Sequence, residues 1–413
     1  HMDLMKTLYL TDVLHTISQV LLAPVVVCLV AALLFSLYQI GTVLVEVFSE
    51  RKYYRAIVPQ LVAEIETADF DEIDGVIEGC GLLRSQKDDL LELKTYLWLP
   101  EEGRIEVAKR LLASERSAGK VVEWNGGPIQ IRLAAEDAFE GLDIVLGAAE
   151  NDIAKEFAPA IVKAGAVFID NSSAFRLRED VPLVVPEVNG EDVKKHNGII
   201  ANPNCSTVIA VTAVNVLNKL SPIRTMIAST YQAVSGAGAG GPLELAEEVE
   251  ALRAGRPVEP KVFPYQIAFN LIPQIGSEQE KGYTSEEMKL QYEGRKILHR
   301  PDMNVSCTCV RVPVVRSHSI SLNLHFDRPV SVAEARAALK SAPGVLLVDD
   351  LKKQQYPMPL DTSDQDIVYV GRIRKDLTDP NGLCLWCCGD QVRKGAATNA
   401  VQIAELLLDV NAE

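Results

Sequence analysis

The stretch Asn202-Pro203-Asn204-Cys205-Ser206-Thr207 joins a short apolar strand to a long apolar helix, and the fold of the chain is organised around it. Residues 198–201, Gly-Ile-Ile-Ala, are typical of the end of a buried strand, and residues 206–211, Ser-Thr-Val-Ile-Ala-Val, open the helix. We therefore expect Cys205 at a helix N-terminus, where free N–H groups and the helix dipole lower the pKa of a thiol. From this position alone, a nucleophile and a buried structural cysteine are equally good interpretations.

Before this stretch, strands and helices alternate. Residues 142–146, Leu-Asp-Ile-Val-Leu, and 166–170, Ala-Val-Phe-Ile-Asp, are typical of short buried strands, and the residues between them predict a helix over 152–164. This βαβ order predicts a doubly wound parallel sheet of the α/β class.

After this stretch, the sequence predicts a second, mixed region. Residues 225–233, 307–313 and 320–326 are typical of longer strands, and the last alternates between apolar and polar residues, as in an antiparallel sheet covered on one side. Residues 394–410 predict an amphipathic helix that closes the chain.

Composition excludes some functions. The 413 residues suffice for two or three domains, and the net charge of −15 argues against nucleic-acid binding, so an anionic substrate needs a local basic pocket. The eight cysteines lack the spacing of a disulfide framework. The segment Cys384-Leu-Trp-Cys387-Cys388 lies among apolar residues and predicts a core strand rather than a metal site.

The N-terminal residues differ from the rest. No Asp, Glu, Lys or Arg lies between Asp12 and Glu46, and a bilayer is spanned by about 20 apolar residues. We expect residues 1–49 to form an apolar transmembrane helix that tethers the chain through residues 13–45; a buried core helix is the alternative. Three basic residues follow closely, so the remainder is expected in the cytoplasm: Arg51, Lys52 and Arg55.

Cys205 and three later residues together supply the groups that acyl transfer requires. Gln232 ends a predicted strand before the loop 235–241, Ser-Gly-Ala-Gly-Ala-Gly-Gly, and Arg311 and His318 flank Pro313. They offer an amide for a developing oxyanion, a guanidinium for a carboxylate and an acid/base that titrates near neutrality. Each is weak evidence alone, but as a set they predict an enzyme with a cysteine nucleophile.

Six ordered motifs resemble those of aspartate-semialdehyde dehydrogenases over about residues 114–413. They are Phe168-Ile-Asp-Asn-Ser-Ser-Ala-Phe-Arg176, Val185-Pro-Glu-Val-Asn189, Asn202-Pro-Asn-Cys-Ser-Thr207, Gln232 with the loop 235–241, Arg311-Val-Pro-Val-Val-Arg-Ser-His318 and Lys394-Gly-Ala-Ala-Thr-Asn-Ala-Val-Gln-Ile-Ala-Glu405. The resemblance implies an incomplete Rossmann-like NADP-binding domain over 113–204, an α+β catalytic and dimerisation domain over 205–390, and a C-terminal helix over 391–413 that returns to the first domain.

The resemblance also implies a reaction: reduction of L-aspartyl-4-phosphate by NADPH to L-aspartate 4-semialdehyde and phosphate, in lysine, threonine and methionine biosynthesis, by a homodimer. Cys205 matches the nucleophile that forms a thioester, His318 the acid/base and Gln232 the residue that orients the substrate. Arg311 matches the arginine that pairs with the substrate carboxylate, and Glu286 the acid that holds its amino group.

Other site residues are implied in the same way. Arg176 and Lys289 match the phosphate-binding pair, and Asn204 lies with the substrate-binding residues. The remaining matches are to NADP: Ser114, Arg116 and Ser117 at its 2′-phosphate, Asn399 at its nicotinamide end, and Ser235 and Gly236 elsewhere on the cofactor.

One element of the family is missing from its expected place. The family begins with a strand and a Gly-x-x-Gly-x-x-Gly loop that cradles the cofactor pyrophosphate, and the sequence shows no such element. Residues 79–84, Gly-Cys-Gly-Leu-Leu-Arg, imitate the general dinucleotide pattern Gly-x-Gly-x-x-Gly, but Arg84 replaces its third glycine, and we interpret them as a helix–helix turn. Instead, residues 1–49 and a charged helical segment over 50–112 resemble the first membrane helix and cytoplasmic helices of the MotA/TolQ/ExbB proton-channel family.

This departure has two consequences. We expect NADP binding to be weakened, because the loop and its helix N-terminus are lost and a sheet edge is left unpaired. It also leaves an alternative function open, a non-enzymatic chimeric membrane protein that carries an inactive dehydrogenase remnant. Fusion, recombination and an assembly artefact are equally compatible with such a junction.

Overall fold

The first strands form a small sheet in the computed structural model, which describes residues 110–124 and 127–412. Strand β1 (Leu111–Ala113) pairs in parallel with β3 (Gly127–Leu133), and β2 (Val121–Trp124) pairs antiparallel with β3. The prediction of a helical segment as far as residue 112 is therefore wrong at its end. Leu111 and Leu112 are strand residues because they pair with Ile131 and Arg132.

A second sheet carries the predicted βαβ unit. Strands β4 (Ile144–Gly147), β5 (Val167–Asp170) and β6 (Ile199–Ala201) are parallel and lie in that order, with helix α1 (Asn151–Lys163) connecting the first two. The predicted strands 142–146 and 166–170 and the helix 152–164 are confirmed within two residues.

The two sheets are not joined by any strand among the described residues. Leu146 of β4 is 48% exposed and Leu133 of β3 is 45% exposed, whereas Phe168 and Ile169 of β5 are buried. Strands of parallel sheets are normally covered on both faces. The exposure of these leucines therefore marks faces of β3 and β4 that are less covered than β5.

Helix α2 (Pro186–Asn189) is a single turn, and α3 (Cys205–Leu220) is the central helix. Cys205 is the first residue of α3, and the Asn204 side chain caps the helix by accepting from the Thr207 N–H at 3.2 Å. Most of α3 is buried, which explains its apolar character all round. The prediction of Cys205 at a helix N-terminus is confirmed.

A six-stranded mixed sheet lies after α3, in the order β10-β11-β12-β9-β7-β8. Its strands are β7 (Ile223–Gln232), β8 (Asn304–Arg311), β9 (His318–Phe326), β10 (Val345–Leu347), β11 (Val368–Lys375) and β12 (Gly382–Gly389). Strand β7 pairs in parallel with β8 and antiparallel with β9. The three predicted strands are confirmed, and Cys384, Cys387 and Cys388 lie on core strand β12 as expected.

The remaining helices are α4 (Gly240–Arg253), α5 (Ser285–Ile297), α6 (Val332–Lys340), α7 (Pro359–Thr362) and α8 (Thr398–Ala412). Helix α8 begins four residues later than predicted because Arg393–Ala397 forms a π-helical turn. Ile403 and Leu407 of α8 pack with Ile169 and Ile200 of the β4–β6 sheet. The C-terminal helix therefore returns to the first domain.

No helix in the described part of the chain has both the length and the apolar character needed to cross a bilayer. The transmembrane helix predicted within residues 1–49, and the helical segment predicted over 50–109, lie outside the described residues.

Candidate active site

Three neighbouring strands bring their polar residues to one edge of the six-stranded sheet. Gln232 ends β7 and Arg311 ends β8, and the two are paired in register. His318 begins β9, which runs antiparallel to β7 and therefore starts at the same edge. The N-terminus of α3 brings Cys205 to this edge, so four residues spread over 114 positions of the sequence meet.

Cys205 and His318 are in contact. The Cys205 Sγ lies 3.5 Å from Nε2 of the buried His318, and the Ala233 N–H donates to Nδ1 at 3.1 Å. Because Nδ1 accepts a hydrogen bond, the neutral imidazole carries its proton on Nε2, facing the sulfur. Burial, assisted by the nearby Arg311 guanidinium, lowers the pKa of His318 to about 3. The neutral ring is therefore the resting form.

The expectation of a lowered thiol pKa is wrong for this structure. Burial, followed by the Glu286 carboxylate, raises the pKa of Cys205 to about 12, although Lys289 and Arg176 act in the opposite direction. The helix N-terminus favours the Cys205 thiolate, but the cost of removing that thiolate from water is larger, so the thiol form is favoured. Cys205 rests as a thiol beside a neutral imidazole.

The buried Glu286 carboxylate connects the substrate-side residues. Its Oε1 accepts from Gln232 Nε2 at 3.1 Å and from Asn204 Nδ2 at 3.0 Å, and its Oε2 accepts from Lys289 Nζ at 2.9 Å. Burial alone would raise the pKa of Glu286, but Lys289 and these hydrogen bonds lower it to about 2. The group is an anion at neutral pH, suited to hold a substrate ammonium.

Arg311 is fixed by a backbone carbonyl and an aromatic ring. Its Nη1 donates to the Ala233 carbonyl at 2.7 Å, and its guanidinium lies 5.8 Å from the centroid of the Phe263 ring. A Cβ at Gly236 would lie 2.8 Å from Arg311 Nη1 and 3.0 Å from His318 Cε1. Only glycine therefore fits where the loop passes over these two side chains.

Arg176 and Lys289 bring two cations close enough to lower the pKa of the Cys205 thiol. Arg176 Nη1 contacts Glu293 Oε1 at 3.1 Å, and Nη2 donates to the Asn171 carbonyl at 2.7 Å. Its Nε is buried and has no hydrogen-bond partner among the described residues. The two cations predicted to bind phosphate therefore lie near the nucleophile, each paired with a carboxylate of the protein.

Three residues at the site were missed by sequence reasoning. Glu293 Oε2 accepts from the N–H of Asn204 at 2.7 Å, Lys296 donates to backbone carbonyls of the Arg176 loop, and Gln391 Oε1 accepts from the Ser317 N–H at 2.9 Å. The helical spacing of Glu286, Glu293 and Lys296 on α5 is a signal that was present in the sequence.

The residues predicted to contact NADP lie in two different environments. Ser114, Arg116 and Ser117 form a turn after β1, closed by the Ser117 N–H donating to the Ser114 carbonyl at 2.9 Å, and Arg116 is exposed. Ser235 Oγ donates to the Val315 carbonyl at 2.6 Å and accepts from Gln391.

Asn399, predicted at the nicotinamide end of NADP, is buried. Its Nδ2 donates to the Val184 carbonyl at 3.0 Å and to Asn202 Oδ1 at 2.6 Å, and its Oδ1 accepts from Lys394 at 3.0 Å. Both N–H donors of its amide are therefore used within the protein, and Asn399 holds the side chain of Asn202.

Comparison with known proteins agrees with this geometry. The profile "Semialdehyde dehydrogenase, NAD binding domain" matches residues 100–196, and "Semialdehyde dehydrogenase, dimerisation domain" matches residues 215–394. The aspartate-semialdehyde dehydrogenase of Synechocystis sp. is 49% identical over 300 residues, which is 73% of this chain and 89% of that protein. The chain belongs to the aspartate-semialdehyde dehydrogenase family.

Other members of the aspartate-semialdehyde dehydrogenase family support the same assignment. The enzyme of Bacillus subtilis is 48% identical, with 73% of this chain and 89% of that protein covered. The crystal structure of aspartate semialdehyde dehydrogenase II from Vibrio cholerae matches with a TM-score of 0.71 and 42% identity over 73% of this chain and 90% of that one. A Candida albicans aspartate semialdehyde dehydrogenase with NADP matches with a TM-score of 0.55 and 26% identity over 72% and 90%.

The exposed Arg116 turn fits one end of NADP. It follows the carboxyl end of a parallel strand, which is where this fold class binds dinucleotides. Near Cys205, the turn that contains Gly395 packs closely on the nucleophile, because a Cβ at Gly395 would lie 3.0 Å from the Cys205 Cβ. A glycine-rich loop that opens a helix at the pyrophosphate position is not among residues 110–124 and 127–412.

Proposed function

We propose that this chain is an NADP-dependent aspartate-semialdehyde dehydrogenase that uses Cys205 as its nucleophile. The contact of 3.5 Å between Cys205 Sγ and His318 Nε2, at the N-terminus of a buried helix, is the observation that carries the proposal. Family membership supports the activity, and the charges around the thiol support the substrate, an amino acid with an acyl phosphate.

In the acylation step, the Cys205 sulfur attacks the acyl carbon of β-aspartyl phosphate. A C–S bond forms, the bond between the acyl carbon and the phosphate oxygen breaks, and the thiol proton leaves with the phosphate. Arg176 and Lys289 bind the phosphate, whose negative charge they neutralise. The positive charges of Arg176 and Lys289 also favour ionisation of the Cys205 thiol, which otherwise rests protonated.

In the reduction step, bound NADPH supplies a hydride for the thioester carbonyl. His318 holds its Nε2–H towards the sulfur and donates it in a hydrogen bond to the thiolate as the aldehyde product departs. The thiolate then takes up a proton from solvent. An imidazole whose Nδ1 accepts a backbone N–H is suited to this role, because its single ring proton faces the sulfur.

Two charged groups select the amino-acid part of the substrate. Arg311 is proposed to pair with the α-carboxylate and Glu286 with the α-ammonium, while Gln232 orients the reacting carbonyl. The ionised state of Glu286 favours a free amine over an acylated one. The aspartate semialdehyde dehydrogenase II of Vibrio cholerae, which is 41% identical, has a crystal structure as a complex with the ligand named ASA.

NADP is proposed to lie across the carboxyl ends of the β1 and β4–β6 strands. Arg116, with Ser114 and Ser117, would hold its 2′-phosphate, and Ser235 and Gly236 would also contact the cofactor. Since the sequence lacks the Gly-x-x-Gly-x-x-Gly loop that holds the pyrophosphate in the family, we expect weak binding.

A homodimer is proposed from the dimerisation-domain match. The face of β7 away from α3 exposes Ile227 at 44% and Tyr231 at 38%, and the Tyr231 ring lies 5.4 Å from that of Trp386. Burying such a face between two copies is favourable. Light scattering after size-exclusion chromatography would give twice the chain mass, and a monomer at high concentration would contradict the proposal.

The activity is tested by NADPH formation from aspartate semialdehyde in the presence of phosphate, with the full chain and its Cys205→Ser variant. We expect phosphate-dependent turnover that the substitution abolishes. Turnover that survives in Cys205→Ser would remove Cys205 from the proposed role. Absence of turnover in both would contradict the proposed activity.

A tether through residues 13–45 is a separate proposal from sequence alone, supported by the uncharged run between Asp12 and Glu46. Fractionation of cells that express the full chain tests it. Recovery of the chain entirely in the high-speed supernatant would overturn it.

A further inference from the structure

Helix α5 presents four charged residues at helical spacing towards the site. They are Glu286, Lys289, Glu293 and Lys296, separated by three, four and three positions. The first two belong to the proposed substrate site. The other two contact Arg176 and its loop from different sides, so one rigid helix governs where this arginine lies.

Glu293 holds the guanidinium of Arg176. Its Oε1 lies 3.1 Å from Arg176 Nη1, and its Oε2 accepts the N–H of Asn204, the residue before the nucleophile. With Nη2 bound to the Asn171 carbonyl, Nε is the one guanidinium nitrogen that has no hydrogen-bond partner among the described residues. The guanidinium is thus held through two of its five N–H donors, and the buried Nε–H is among those left for an anion.

Lys296 holds the backbone of the same loop. Its Nζ donates to the carbonyls of Arg176 at 2.9 Å, Arg178 at 2.6 Å and Val181 at 2.7 Å. An ammonium has three N–H donors, and these carbonyls use all of them. Lys296 therefore has no donor left for a substrate anion, and it acts on the site only through the loop.

We propose that Lys296 is a positioning residue of the phosphate subsite, which sets the place of Arg176 by holding three carbonyls of residues 176–181. This inference rests on the proposed phosphate-binding role of Arg176. Loss of the ammonium leaves the three carbonyls without their donor, and the Arg176 backbone is then free to shift. A displacement of about 1 Å at a binding group is enough to cost a large factor in function.

The loop does not depend on Lys296 for its attachment to the core. Phe175 and Val181 are buried, and the Phe175 ring lies 6.3 Å from that of Phe168 in an edge-to-face arrangement. We therefore expect Lys296→Met to fold, with Arg176 less well placed.

The test uses alkylation of Cys205 by iodoacetamide in the full chain, followed by mass spectrometry of the Cys205 peptide, with inorganic phosphate as the protecting ligand. No NADP is needed, so weak cofactor binding does not affect the result. In Lys296→Met, we expect about tenfold more phosphate for half-protection. The alkylation rate without phosphate is measured in each variant as the reference, and its pH profile should move slightly upwards in Lys296→Met, because Arg176 lowers the pKa of Cys205.

Lys195→Met is the matched control, because this lysine is exposed and paired with Asp192 at 2.5 Å. Lys195→Met should leave the phosphate concentration for half-protection unchanged, whereas Arg176→Lys should raise this concentration. If Lys296→Met does not fold, Lys296→Gln takes its place, since its shorter amide cannot reach three carbonyls. An unchanged phosphate concentration for half-protection in the folded Lys296 variant would overturn the positioning role of Lys296. Absence of phosphate protection in the unsubstituted chain would overturn the proposed phosphate subsite as well.

Discussion

The catalytic edge of the six-stranded sheet and the exposed side of the β1 and β4 strands differ in how completely their residues are held. Gln232, Glu286 and His318 are buried and bonded to protein partners. Arg116, in contrast, lies in an exposed turn, and Leu146 is largely uncovered. The chemistry is preorganised where the substrate binds, and the cofactor side is incomplete within the described residues.

The largest effect is expected at the catalytic edge. His318→Asn should lower kcat/KM by about 10²- to 10⁴-fold, because the imidazole beside the sulfur is lost. His325→Asn is the matched control, since His325 lies on the same strand but bonds to Asp376. Steady-state kinetics at saturating NADP compare the two. An equal loss of kcat/KM in both variants would mean that the activity depends on an intact strand β9 and not on the imidazole beside Cys205.

Cofactor binding tests the other side of the comparison. We expect the full chain to bind NADP with a Kd of about 100 μM or weaker, because the helix N-terminus that holds the pyrophosphate is missing from its expected place. Fluorescence titration of NADPH gives this constant directly. Ordinary low-micromolar binding would show that the cofactor side is as complete as the catalytic edge.

The charges at the catalytic edge set the reactivity of the thiol. Glu286→Gln removes a carboxylate that raises the pKa of Cys205 and frees Lys289, which lowers it. The pH profile of alkylation by iodoacetamide should therefore shift to lower pH by about one unit. Glu287→Gln is the control, because Glu287 lies next to it on α5 but accepts from the Cys309 N–H. An unshifted profile in Glu286→Gln would contradict the electrostatic account.

The smallest effect is expected at the exposed turn. Arg116→Ala should reduce the preference for NADP over NAD by about fivefold, since an exposed charge pair contributes only about 1 kcal/mol. Arg132→Ala, at another exposed arginine, should leave the preference unchanged. The ratio of the two dissociation constants is the measurement. No change in Arg116→Ala would remove the turn from the cofactor site.

The local features of the site could be predicted from the sequence. The strand before Cys205, its place at a helix N-terminus and the strands that carry Gln232, Arg311 and His318 follow from short apolar patterns. The end of the predicted helical segment was wrong because Leu111 and Leu112 pair with β3, a partner some 20 residues away. The late start of α8 reflects a π-helical turn that packs Gly395 over Cys205.

The electrostatic state of the site could not be predicted in this way. A helix N-terminus alone indicates a lowered thiol pKa, but burial and the Glu286 carboxylate raise it. The contacts of Lys296 with the Arg176 loop join residues more than 100 positions apart. Likewise, Asn399 matches a family motif, yet its amide is occupied by Asn202, Lys394 and the Val184 carbonyl.

By itself, the sequence determined the family, the nucleophile candidate and the order of the elements, because these depend on residue identity and local periodicity. The tertiary structure alone decided which side chains meet, which of them have donors left for a ligand, and that Cys205 rests as a thiol. The physical reason is that desolvation and hydrogen-bond partners depend on all the elements packed around a group. A single segment of the chain contains only part of that environment.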